Sequence, residues 1–373
     1  MAKKRKSPPG GRQTALDPAG LDKSGLVLGR DTPAATGFAM PGEWVRHEAT
    51  LISWPRDPVT FRDIPAVERI FADVIAALSH GERVDCLVPD GATAQRAAQL
   101  VGARGGRHVQ FFEQPTADVW IRDYGPTFVL KRRGRSVRRG FVRWRFNAWG
   151  GKYEKLLADD GLPDRLGLPG PRFAPGIVLE GGSIDVNGEG SVLTTEQCLL
   201  HPNRNPHLKR AELEAYLRAF LGVRQVLWLG EGIVGDDTDG HVDDLARFVG
   251  PRTIVTAYED DPKDANYAAL HDTWRRLVAM ADPEGRPFEI VKLPMPGALF
   301  AGKRRLPASY ANFVIGNDRI LLPAYGPRAR DDKAAKVLAK CFPGRPVVKI
   351  EAKELVYGHG SFHCATQQVP AAR

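Results

Sequence analysis

The sequence predicts an α/β protein of repeated, strand-rich units in a single domain, and three observations predict it. Strand-like runs outnumber helical ones by roughly two or three to one, more than a doubly wound parallel fold supplies. The two kinds alternate across residues 38–373 with no linker-like change of composition. A hydrophobic content of 43% over 373 residues is enough to build a sizeable core.

In chain order, the short β-branched runs "ATLISW" (49–54), "RVDCLVP" (83–89) and "HVQFF" (108–112) predict strands. So do "GIVLEGGSIDV" (176–186), "SVLTTE" (191–196), "QVLWL" (225–229), "RTIVTAY" (252–258), "FEIVKL" (288–293), "ANFVIG" (311–316), "RILLPAY" (319–325) and "PVVKI" (346–350). Apolar residues at helical spacing predict helices over 65–81, 208–222, 265–281 and 331–342, most of them stopped by Gly or Pro. The basic run "KRRGRSVRRGFVRWRF" (131–146) reads as a charged hairpin.

Residues 1–37 form a separate basic leader, polar, rich in Pro and Gly and without periodicity, so burial cannot offset its ordering entropy and disorder is expected. Lys3, Lys4, Arg5, Lys6 and Arg12 supply five of the nine net positive charges, leaving the rest of the chain close to balance. No aromatic residue interleaves those charges, so no nucleic-acid partner is expected. The longest apolar runs fall well short of the roughly 20 residues that span a bilayer, and no signal-like stretch opens the chain, so no membrane partner and a cytoplasmic location are expected. Self-association is left open.

Cys86, Cys198, Cys341 and Cys364 are scattered without a C-x-x-C pair, which excludes a disulfide framework and a zinc knuckle. Cys86 and Cys198 lie in or beside apolar runs and read as small hydrophobes. Cys364 differs, standing beside His363 in "GHGSFHCATQQVP" (358–370) behind a glycine-rich turn. In "GDDTDGHVDDLARF" (235–248), Asp236, Asp237, Asp239, Asp243 and Asp244 surround His241. That segment reads as a site for an organic cation, as a metal site using His241 and Asp243, or as a solvated loop. "ADVWIRDYGPTFVL" (117–130) sets Trp120 and Asp123 before a Gly-Pro turn, and Glu180 precedes Gly181-Gly182.

Taken together, "MPGEWVRHEATLISWP", "WIRDYGPTFV", "FNAWGGKY", "LEGGSIDVNGEGSVLTTEQCLLHPNRNP", "DDTDGHVDDLARFV", "LPASYANFVI" and "HCATQQ" resemble, in this order, the agmatine deiminase and bacterial peptidyl-arginine deiminase family of guanidine-modifying enzymes. The resemblance spans residues 38–370. It implies a five-bladed α/β propeller with the active site in its central channel, and catalysis with neither metal nor organic cofactor. By the same resemblance, Cys364 is the nucleophile, His241 the acid/base, Asp123 and Asp243 the carboxylates gripping a small guanidinium substrate, and Glu180 the acid orienting His241. It also implies that Trp120 and Asp237 frame the amine-bearing end of the substrate, with Asn312 a further pocket residue. The chemistry suits those types, because a guanidinium is a weak electrophile that needs a soft thiolate and carboxylates to hold its nitrogens.

The sequence departs from the family where Gly358-His359-Gly360-Ser361-Phe362-His363-Cys364 replaces Gly-Gly-Gly-Asn-Ile-His-Cys, and where Tyr124 replaces a small residue and is expected to narrow the channel. The expected reaction is hydrolysis of agmatine to N-carbamoylputrescine and ammonia. The alternative is a peptidyl- or free-arginine deiminase, with Arg143, Arg145 or Lys152 holding the substrate carboxylate. A cysteine amide hydrolase and a silent guanidinium-binding protein are the remaining readings from other classes.

Overall fold

The computed structural model describes residues 21–22, 25–26, 29 and 31–372. The leader expected over 1–37 therefore lies mostly outside the described residues. Its last part is described, however, and carries a short 3-10 turn at Ala34–Thr36, with Thr32 buried and its carbonyl accepting from Thr36. Earlier in the same stretch, Leu21–Asp22 pairs antiparallel with Gly25–Leu26.

Among the described residues, five sheets hold 16 of the 20 strands, and four of these sheets share one pairing pattern. In each, a first strand runs antiparallel to a second, and the second runs parallel to a third. The triplets are Thr127–Arg133, Ser136–Val142 and Arg172–Phe173, then Asp185–Val186, Ser191–Thr195 and Gln225–Leu229. Ala246–Phe248, Thr253–Tyr258 and Glu289–Pro294 make the next, followed by Val314–Ile315, Ile320–Ala324 and Val347–Glu351. The fifth sheet repeats the pattern across the two ends of the chain: Thr366–Pro370 lies antiparallel to His47–Ser53, which is parallel to Arg83–Val88, itself parallel to Val109–Glu113.

Parallel neighbours need a crossover, and helices supply it in four of the five sheets. Ile64–Leu78 is the clearest case. Asp63 caps it by accepting from the Ala66 amide, Pro65 sits in the first turn, and Val67, Ile70, Phe71, Val74, Ile75 and Leu78 are buried at helical spacing. Arg210–Leu221 ends at Gly222, whose φ of 68° and close approach to Ala39 leave no room for a side chain. Tyr267–Ala279 and Arg328–Cys341 complete the long helices that the sequence predicts.

Three local differences from the expectation have physical causes. The run 176–186 is not one strand: Gly181–Ser183 form a 3-10 turn because Gly181 packs against the Arg122 carbonyl, and only Asp185–Val186 pair in a ladder. The run 311–316 likewise begins in the turn Tyr310–Asn312, with Ser309 accepting from the Ala311 amide. Gly91–Gly102 is an additional helix, capped by Asp90, whose alanine- and glutamine-rich sequence buries only Ala97 and Val101. Among the described residues no helix is long and apolar enough to cross a membrane.

Candidate active site

In every sheet, the segment just before the first strand is a short turn that carries side chains to one place. Ile121–Tyr124 precedes 127–133 and delivers Asp123, and Gly181–Ser183 precedes 185–186 and follows Glu180. Val242–Asp244, preceding 246–248, brings Asp243 beside His241; Tyr310–Asn312 precedes 314–315; and Cys364 lies two residues before Thr366–Pro370.

Gly182 marks where these side chains converge. A Cβ added there would lie 2.6 Å from His241 Nδ1, 2.9 Å from Asp123 Oδ1 and 3.1 Å from Asp243 Oδ2, so only hydrogen fits between them. The Gly182 amide donates to Asp123 Oδ1 at 3.0 Å, and Trp149 Nε1 donates to Asp123 Oδ2 at 2.9 Å. Trp149 itself adopts a left-handed backbone (φ 53°, ψ 47°), a strained conformation for a tryptophan, held by Asn147, which caps Gly150 and donates to the Asn203 carbonyl. Burial pushes the Asp123 carboxyl up to about 6, with Asp243 and Glu180 adding to the effect and His241 opposing it.

The acidic loop around His241 divides its labour. Asp236 accepts from the amides of Thr238, Gly240 and His241, so it shapes the turn rather than facing a ligand. Asp239 pairs with Lys152 and Arg204. Asp244 accepts from Asn312 Nδ2 at 3.1 Å. Asp243 and Asp237 face the functional region, at its floor and its mouth.

His241 Nδ1 lies 3.7 Å from Asp123 Oδ1 and Nε2 lies 3.9 Å from Glu180 Oε2. Both ring nitrogens, Glu180 Oε2 and Asp243 Oδ1 are buried and have no hydrogen-bond partner among the described residues. Burial works against an imidazolium here, but Asp123, with Cys198 and Glu180 adding to it, holds His241 well above its usual range. Burial opposes ionisation of Glu180 as well, yet Arg204 Nε, 2.7 Å from Oε1, keeps the carboxylate charged.

Cys364 Sγ lies 3.5 Å from Asp243 Oδ2 and accepts from Asn312 Nδ2 at 3.0 Å, while the Asn312 side-chain oxygen accepts from the amides of His363 and Cys364. Burial, then Asp243, Asp244 and Asp123, push the thiol well above its usual range. His363 bridges Asp243 Oδ2 (2.8 Å) and Glu43 Oε2 (2.9 Å). Glu43 also receives Arg247, which reaches Asp185 with its Nε at 2.6 Å. Glu43 carries no sequence signal of this role, since it lies far from the histidine and acidic motifs it supports.

A cavity of about 500 Å³ opens onto Cys364 and Asp123, walled by Trp120, Trp149, Tyr153 and Leu156 and rimmed by Asp57, Asp118, Glu154, Asp237, Arg304 and His359. The Trp120 ring lies against Gly360, where a Cβ would come within 2.4 Å of it. Burial pushes Asp118 up to about 7. A larger cavity of about 710 Å³, bordered by Arg46, Glu48, Arg83 and Arg107, contains none of these residues.

Several expectations need correction. Tyr124 does not wall the channel; it is buried, donating to the Asp118 carbonyl at 2.6 Å, because its turn points Asp123 inward and its own ring into the core. Asn312 is not a cavity-lining residue but sits behind the thiol. Arg143 is spent on Asp160 and Asp164, Lys152 on Asp239, and neither lines the cavity, nor does Arg145; the arginine at its rim is Arg304. Cys198 is buried, as a small hydrophobe would be, but it lies beside Glu180 and His241. The three each present one potential ligand atom, all within 4.8 Å of one another, a set that leaves out Asp243, the partner of His241 in the metal reading of the acidic segment.

The turns before the first strands of five similar sheets thus bring a cysteine, a histidine and paired carboxylates together in one buried place beside a cavity. Residues 39–370 match the model of the Porphyromonas-type peptidyl-arginine deiminase family, and the chain belongs to that family. It is 39% identical to the agmatine deiminase of Medicago truncatula, over 91% of this chain and 98% of that one. It is also 39% identical to the agmatine deiminase of Pseudomonas fluorescens, over 91% and 97%. Its fold is similar to that of the solved agmatine deiminase of Enterococcus faecalis, with a TM-score of 0.84, 34% identity, and coverage of 92% of this chain and 98% of that one. The protein is a hydrolase of the agmatine deiminase type, acting on C–N bonds of amidines.

Proposed function

We propose that this enzyme hydrolyses agmatine to N-carbamoylputrescine and ammonia through an S-amidino intermediate on Cys364. The convergence of Asp123, Asp243 and His241 on the face of Gly182, beside the thiol, carries the reading. A guanidinium presents a plane of N–H donors, and the unpartnered Asp243 Oδ1 beside Asp123 offers acceptors for them in a dry site, where such contacts are strong.

The thiol, hydrogen-bonded to Asp243 Oδ2 at 3.5 Å, loses its proton to solvent as the guanidinium cation enters and stabilises the thiolate. Sulfur then attacks the central guanidinium carbon, forming a C–S bond and a tetrahedral adduct. His241, held protonated by the surrounding carboxylates, gives its proton to one nitrogen, which departs as ammonia with the C–N electron pair. The same histidine, now neutral, takes a proton from water as its oxygen attacks the S-amidino carbon. Collapse of the second adduct breaks the C–S bond and passes its hydroxyl proton to the departing sulfur, restoring the Cys364 thiol and leaving a urea group.

We further infer that the five sheets stand as blades around this site, an arrangement supported by their shared pairing pattern and by the equivalent placement of the turns before their first strands. Agmatine is favoured because Asp57, Asp118, Glu154 and Asp237 line the outer cavity and suit a distal ammonium. A second reading, arginine or an arginine peptide, has one observation behind it: Arg304 lies at the rim, where a substrate carboxylate would fall. Ammonia release from agmatine, arginine, arginine peptides and a plain amide tests both. Turnover of agmatine is expected to dominate, and turnover of the amide alone would overturn the guanidine reading.

A further inference from the structure

On the side of His241 away from the thiol lies a second set of buried groups that the proposed reaction uses only in part. From their positions we infer that Glu180, Cys198 and His241 form a binding site for a thiophilic divalent ion, zinc above all, whose occupancy silences the enzyme. The three side chains each offer one ligand atom, mutually within 4.8 Å, and all three residues are buried. Ligands about a tetrahedral zinc, with bonds of about 2.0–2.3 Å, stand roughly 3.3–3.8 Å apart, so closure needs only small side-chain movements. Thiolate, imidazole and carboxylate together are a donor set suited to zinc.

The site is built rather than accidental. Cys198 is fixed at the start of the one-turn helix Glu196–Leu199, where its amide donates to Thr195 Oγ1 at 3.2 Å. Of the two Glu180 oxygens, Arg204 binds Oε1 and leaves Oε2 without a hydrogen bond, and the charge of Arg204 is in turn offset by Asp239 at 2.7 Å. Both nitrogens of the His241 ring likewise lack a hydrogen bond, with Nε2 3.9 Å from Glu180 Oε2. On binding, the metal displaces two protons to solvent, one from the Cys198 thiol and one from the His241 imidazolium, and the Glu180 carboxylate with the Cys198 thiolate neutralises its two charges in a buried place. The binding is independent of the reaction proposed above; only the inhibition rests on it, because a metal-ligated His241 cannot carry a proton to the leaving nitrogen.

Cobalt(II) added to the Cys364→Ser protein reports the site without any assay of activity. Expected are one bound ion, a sulfur-to-cobalt charge-transfer band and visible bands of tetrahedral intensity, with X-ray absorption showing a single sulfur neighbour. Cys198→Ala and Cys198→Ser, each checked for an unaltered thermal melt, are expected to lose the band. If neither variant folds, the sulfur count in Cys364→Ser with Cys86 and Cys341 also replaced by alanine decides instead. Zinc is expected to inhibit the wild-type enzyme reversibly, with a chelator restoring turnover, and at least about tenfold more potently than it inhibits Cys198→Ala. A charge-transfer band that survives loss of Cys198, or one that vanishes in Cys364→Ser, overturns the assignment, as does absence of binding. Cobalt binding without zinc inhibition would uphold the site and refute the role given to His241.

Discussion

Arg304 and Asp237 are ion-paired at the mouth of the cavity that leads to Cys364. Arg304 is carried there by a hairpin pairing Phe300–Ala301 with Arg304–Arg305, and Tyr153 donates its hydroxyl to the other Asp237 oxygen at 2.5 Å. Asp237 thus meets an internal cation before it meets a substrate's amine. Arg304 is 51% exposed, so the pair is worth little in water and is readily exchanged. Replacing Asp237 by Asn is expected to raise KM for agmatine roughly 3- to 10-fold and to free Arg304 for the carboxylate of arginine, improving its use. Arg304→Gln should do the reverse, lowering KM for agmatine. If both variants change agmatine and arginine turnover in equal proportion, the pair has no part in choosing substrate.

The thiol itself gives a pH prediction with a definite sign. Burial and the acids Asp243, Asp244 and Asp123 raise its ionisation above the usual thiol range, so the free enzyme carries Cys364 as neutral thiol at pH 7. Thiolate absorbance in the ultraviolet, read as the difference between wild type and Cys364→Ser, is expected to appear only at alkaline pH. An unreactive guanidinium ligand, by adding positive charge, should move that rise to lower pH. Cys364→Ser should abolish turnover with its melting curve unchanged, and an active serine variant would remove Cys364 from the mechanism.

Gly182→Ala tests convergence on a single point. The added carbon would sit 2.6 Å from His241 Nδ1, and displacement of the imidazole is expected to cost at least about 100-fold in kcat, in keeping with the effect of misplacing a reacting group by about an ångström. Stability should change far less than activity. Near-normal kcat would mean that His241 does not work from the position seen.

Asn312 holds the sulfur rather than the substrate. Asn312→Ala removes the donor 3.0 Å from Sγ, and the expected result is a kcat lowered by about 10-fold or more, with KM nearly unchanged and the thiolate appearing at still higher pH. A change confined to KM would return Asn312 to the pocket wall.

Glu43 makes a stability prediction. Burial opposes its ionisation, but Arg247, His363 and Arg122 hold it charged well below the usual carboxylate range. Removing one partner of a buried pair leaves the other uncompensated, so Glu43→Ala is expected to lose about 3–5 kcal/mol in denaturant unfolding. Asp243 should lose alignment with it, because His363 ties the two acids together. An unchanged unfolding midpoint would show that Asp185 alone satisfies Arg247.

A cysteine after a glycine turn, a histidine among acids and a glutamate before two glycines were visible in the sequence, but each alone left other readings open, and their roles came from the resemblance of the ordered motifs. Their supports were not visible. Glu43 and Asn312 act through contacts with residues 52 to over 300 positions away, Cys198 lies beside residues 18 and 43 positions away, and an isolated residue of each type has an ordinary reading. Strands of five to seven residues were found from β-branched runs such as 225–229 and 253–258. The two-residue strands 185–186 and 314–315 were covered only by longer runs whose first parts fold as turns, and 172–173 was not found, since so short a ladder leaves no period in the sequence.

The pairing of Thr366–Pro370 with His47–Ser53 bears on when the enzyme can first work during its own synthesis. Cys364 lies two residues before a strand whose partner is more than 300 residues back, so it meets the carboxylates carried by the other sheets only once the two ends of the chain have joined. Turnover is therefore expected to appear with that closure rather than with the formation of any one sheet.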